Sequence, residues 1–168
     1  MNTLGWHDIA HMRLSLDIEE VTIRNLQAIV EFDRARHEQN GPLFARWYNE
    51  FRSCEQRHRK LLADLAALVN QTDSAKRHRE LEETAQRHPG FIALKQQLEY
   101  DLLCLHQRYD EHVRVVCPQQ RYNEHVGGVD STDDLHISQA YEQFEAQRQR
   151  VESSIVDFRR RLDCRVRA

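Results

Sequence analysis

The chain has 168 residues, of which 40% are apolar and 30% are charged, and its formal net charge is −3. This length fits a single domain over 1–168 that can bury a core without disulfides or metal ions. A slightly acidic chain without a sustained basic stripe is not typical of nucleic-acid-binding proteins. No apolar run approaches the ~20 residues of a membrane-spanning helix, which argues against a helical membrane protein.

The N-terminal residues and the cysteines both bear on the compartment. Residues 1–8 contain neither the basic segment nor the apolar core of a signal peptide. The four cysteines form no CxxC motif, a pattern typical of reduced intracellular thiols. We therefore expect a cytoplasmic protein, with residues 1–12 as a frayed segment ahead of the first helix.

Helix-breaking residues are concentrated at a few points and thereby predict where helices end. All three prolines and four of the five glycines lie at 41–42, 89–90, 118 and 127–128. Between these points, apolar residues recur at steps of three and four, the period of an amphipathic helix. The sequence predicts four long helices at 14–38, 42–70, 91–117 and 132–165, and a short polar helix at 73–88.

The first predicted helix, 14–38, has an unusually wide apolar face. Leu16, Ile23 and Ile29 lie beside its main stripe of apolar residues. Because such a face can pack against neighbours on more than one side, we expect this helix to be central in the fold.

The helix predicted at 42–70 has the most regular pattern, an a/d heptad repeat without a gap. Pro42 suits the start of this helix, where its missing N–H leaves no helical hydrogen bond unmade. The repeat consists of Phe44, Trp47, Phe51, Cys54, His58, Leu61, Leu65 and Leu68.

The second half of the chain repeats the heptad pattern after the polar segment at 73–88. Pro118 is expected to end or kink the helix at 91–117, with up to two further turns before Gly127. Arg148 interrupts the apolar stripe of the last helix, so its charge should either reach solvent or pair with an acid. Short breaks between long helices favour antiparallel neighbours. The sequence therefore predicts an all-α antiparallel bundle of four long helices plus one short polar helix, with coiled-coil-like packing.

Cysteine and histidine on the core stripes are candidate metal ligands. Cys54 and His58 are four residues apart and share one helix face. If 42–70 and 91–117 are antiparallel neighbours, Cys54 comes close to His106. His112 lies on the apolar stripe of the helix at 91–117. These four residues form a predicted zinc or iron site. The competing explanation is a buried cysteine and a core histidine held by a single hydrogen bond.

Motifs of nucleophilic catalysis are absent from the sequence. There is no Gly-x-Ser-x-Gly elbow and no glycine-rich phosphate loop. The sequence contains one Glu-x-x-His motif, Glu55 to His58, where ferritin-like di-iron bundles use two. We therefore expect a non-enzymatic protein without a bound cofactor.

By exclusion, the sequence predicts a protein–protein interaction or oligomerisation module whose partner is another protein or a second copy of the chain. No helix breaker follows the last stripe residue, so the favoured contact surface is the end of the last helix: Phe158, Arg159, Leu162 and Arg165. One alternative is a metal-binding sensor that uses the predicted zinc or iron site. A weaker alternative is a nucleic-acid-binding helical protein, which would use the basic clusters at 57–60 and 76–79. This alternative is weaker because acids are interleaved with both clusters.

Overall fold

A computed structural model describes four α-helices: α1 (Trp6–His37), α2 (Gly41–Asn70), α3 (Pro89–Val126) and α4 (Ser131–Arg167). The structure describes residues 6–70, 89–126 and 131–167, together with Lys76, Arg79 and Glu83. Within the three ranges, the side chains at 6–9, 89, 91–92, 117–126, 131–134 and 164–167 are outside the description. No strand occurs in the described ranges, so the all-α prediction is confirmed. None of the described helices has a segment that is both long and apolar enough to span a membrane.

The helix boundaries differ from the predicted ones at three places. α1 begins at Trp6, inside the segment expected to fray, and α3 continues through Pro118 to Val126. Met12 packs against the core, and this contact stabilises the N-terminal part of α1. Proline removes one helical hydrogen bond, but it does not end α3. The short polar helix predicted at 73–88 is not among the four helices; apart from Lys76, Arg79 and Glu83, its residues lie outside the described ones.

A tight turn reverses the chain between α1 and α2. Gln39 adopts a left-handed backbone conformation, with φ 55°. The N–H of Asn40 donates to the carbonyl of Ala35 at 2.8 Å, and that of Gln39 to the carbonyl of Arg36 at 3.1 Å, the Schellman pattern of a helix end. Asn40 then caps α2, because its Oδ1 accepts a hydrogen bond from the N–H of Leu43 at 3.2 Å. α2 therefore runs back antiparallel along α1.

The central position predicted for the first helix is explained by two buried layers, one on each side of α1. The first layer is the core that α1 forms with α3 and α4. Its buried members are Leu16, Ile23, Leu26, Val30, Leu98, Leu102, Leu105, Phe144, Val151, Ile155, Phe158 and Leu162.

The second layer lies between α1 and α2. The ring of Phe32 meets the rings of Phe44 and Phe51 edge-on, with centroids 5.6 Å apart in both pairs. Ala28 and Ala35 lie four residues before and three after Phe32, so they share its helix face, and both are fully buried. The wide apolar face of α1 therefore serves two neighbours on opposite sides.

α4 closes the first layer by running antiparallel to both α1 and α3. At one end, Arg13 pairs with Asp163 at 3.0 Å, and at the other the hydroxyl of Tyr141 donates to Glu31 at 2.5 Å. Against α3, the amide of Gln147 donates to the backbone carbonyl of residue 101 at 2.9 Å. Among the described residues, α2 packs almost entirely on α1 and hardly approaches α3 or α4. The four helices thus do not close into a square, because α2 lacks a second neighbour.

Arg148 is a buried residue of α4, and it pairs with acids. Pairing with an acid was one of the two outcomes expected from the sequence, the other being extension into solvent. Its guanidinium contacts Glu145 and Glu152, each at 2.7 Å. Hydrogen bonds to Glu145 raise the pKa of Arg148 more than burial lowers it, so the group stays charged. The charge interrupts the apolar stripe without leaving an unpaired cation in the core.

Candidate partner-binding site

The end of α4, which was predicted as the contact surface, is largely covered by contacts with α1 and α3. Phe158 is 5% exposed and Leu162 is 1% exposed, and both belong to the core with α1 and α3. Arg159 pairs with Asp17 and Glu20 of α1. The side chain of Arg165 lies outside the described residues. The apolar stripe of α4 is thus covered within the chain, and little of this surface remains for a partner.

The predicted metal ligands are distributed over separate places in the fold. Cys54 is fully buried on α2, and its Sγ lies 3.9 Å from a carboxylate oxygen of Glu50. Burial raises the pKa of the Cys54 thiol, and the nearby charge of Glu50 raises it further. The thiol is therefore held protonated, the form that is neither a nucleophile nor a metal ligand. His58 is half-buried on α2 and His106 is exposed on α3.

His112 lies in the core without a hydrogen bond to any described residue. Its side chain is 1% exposed, and neither ring nitrogen has a hydrogen-bond partner in the part of the chain that the structure describes. Burial lowers the pKa of His112 to about 4, so the imidazole is neutral at pH 7. No described residue makes the hydrogen bond that the competing explanation expected for a core histidine.

Glu19 of α1 connects two of the predicted ligands electrostatically. Burial raises the pKa of this carboxyl, while His106 of α3 and His58 of α2 lower it and Glu99 of α3 raises it. Glu19 therefore lies within electrostatic range of one histidine on α2 and one on α3. In the part of the chain that the structure describes, no three His, Cys, Asp or Glu side chains are placed to hold a metal ion.

The surface that the structure leaves open lies on α2, and its residues are not among the predicted site residues. Leu62, Leu65, Ala66 and Val69 recur at i, i+3, i+4 and i+7 and so share one side of the helix. We call these four residues the α2 patch. Leu62 is 45% exposed, Ala66 is exposed, and Leu65 and Val69 are half-buried. The available signal was that Leu62 lies beside the heptad stripe rather than on it.

The basic side chains of α2 all precede the α2 patch along the helix. Arg59 precedes Leu62 by three residues and Arg52 precedes Arg59 by seven, so both lie on one side of the helix before the patch begins, with Glu55 between them. The cations of α2 make no ion pair with any described residue: Arg46, Arg52, Arg57, Arg59 and Lys60. Arginines of α1 and α4 that face a neighbouring helix, such as Arg13 and Arg159, are paired. Arg59 therefore places one positive charge at the N-terminal end of the patch, with Glu55 four residues before it on the same side of α2.

Comparison with known proteins gives no family assignment. No protein-family model, curated protein or solved structure matches the chain. The function must therefore be argued from the residues and their arrangement.

Proposed function

We propose that the chain is a non-enzymatic protein–protein interaction or oligomerisation module of the cytoplasm, and that its contact surface is the α2 patch. One observation carries this proposal. α2 has the most regular apolar stripe of the sequence, yet Cys54 is its one buried residue among those described. The regular stripe also supports coiled-coil-like pairing with a further helix.

The energetics of the patch favour an additional neighbour. Fully burying a leucine or valine side chain contributes about 1.5–3 kcal/mol relative to leaving it in water. Leu62, Leu65 and Val69 realise only part of this gain, because α1 covers α2 from one side. A partner helix laid along the patch would bury the remaining area, as an amphipathic helix does in an apolar groove.

Photo-crosslinking tests the proposed surface directly. In cells that make the protein, a Leu62→benzoylphenylalanine variant should give a discrete covalent adduct on irradiation. The matched control is Val156→benzoylphenylalanine, because Val156 is 59% exposed on α4, away from α2. Sedimentation equilibrium of the purified chain then distinguishes self-association from a different protein partner. No adduct at position 62, or equal adducts at both positions, would contradict the proposal.

A metal-binding sensor is the second candidate function, and the position of Glu19 is the observation that favours it. His58 of α2 and His106 of α3 both lower the pKa of this carboxyl, so two of the predicted ligands lie within electrostatic range of one acid. Protein purified without a histidine tag should then contain stoichiometric zinc or iron, and a chelator should lower its melting temperature. Substoichiometric metal together with an unchanged melting temperature would reject this candidate.

A further inference from the structure

We draw no further inference here: the strongest candidate, the apolar side of α2 formed by Leu62, Leu65, Ala66 and Val69, is a partly exposed surface patch for which nothing in the described part of the chain shows what covers it.

Discussion

Replacing His112 with leucine is expected to stabilise the protein at pH 7 by about 1–3 kcal/mol. The wild-type imidazole is 1% exposed and has two nitrogens without hydrogen-bond partners among the described residues. A buried polar group without a partner costs about 1–3 kcal/mol, because its bonds to water are lost on folding and nothing replaces them. Leucine is of similar size and has no polar atom to satisfy. Urea unfolding followed by circular dichroism measures the difference.

The stability difference between His112→Leu and the wild type should grow as the solution becomes acidic. Burial lowers the pKa of His112 from 6.5 to about 4 in the folded protein, so between these values the unfolded chain binds a proton that the folded chain does not. The contribution of the neutral His112 to the free energy of unfolding is therefore fully present above pH 6.5, and it is lost as the pH falls toward 4. The loss from this residue is about 3 kcal/mol, since one pKa unit corresponds to about 1.36 kcal/mol.

Comparison with the variant isolates this contribution from other titrating groups. Glu19 and Asp33, whose pKa values are raised by burial, are present in both proteins and cancel in the difference. His136→Gln removes an exposed imidazole from α4 and should leave stability at pH 7 within about 0.5 kcal/mol of wild type. A constant stability difference between pH 7 and pH 4 would show that His112 has a polar partner or water contact in solution.

The sequence was sufficient for the four long helices, though not for the short polar helix at 73–88, because periodicity and breakers act locally. Gly41, Pro89 and Gly127 mark the ends of apolar repeats that a helix places on one face. The broad apolar face of 14–38 indicated a central helix for the same reason. The pairing of Arg148 with an acid was one of two options, and the choice depended on Glu145 and Glu152 lying three and four residues away.

The candidate site was not predictable because a heptad stripe does not encode how many neighbours will cover it. Phe158 and Leu61 occupy equivalent stripe positions, yet Phe158 is buried between helices and Leu61 is half-buried against α1 alone. That difference comes from which helices pack together, a property of tertiary contacts. The same limit applies to Cys54 and His106, whose proximity required α2 and α3 to be direct neighbours.

Replacing Phe144 with alanine should destabilise the fold by about 3–5 kcal/mol. Phe144 is 0% exposed in the core that α4 forms with α1 and α3. Its truncation loses the burial of a ring and leaves a cavity that long, mutually packed helices cannot fill by collapsing. Val156→Ala on the same helix is the control, because Val156 is 59% exposed and surface changes are usually within about 0.5 kcal/mol.

The same variant tests whether α2 unfolds together with the rest of the protein. Trp47 of α2 lies 5.1 Å from the guanidinium of Arg24 of α1, so tryptophan fluorescence includes a signal from the layer between α1 and α2. Because α1 belongs to both layers, loss of the core should release α2 as well. The fluorescence and circular dichroism midpoints of Phe144→Ala should therefore fall together. Separate midpoints, or a loss no larger than that of Val156→Ala, would show that the two layers are not joined through α1.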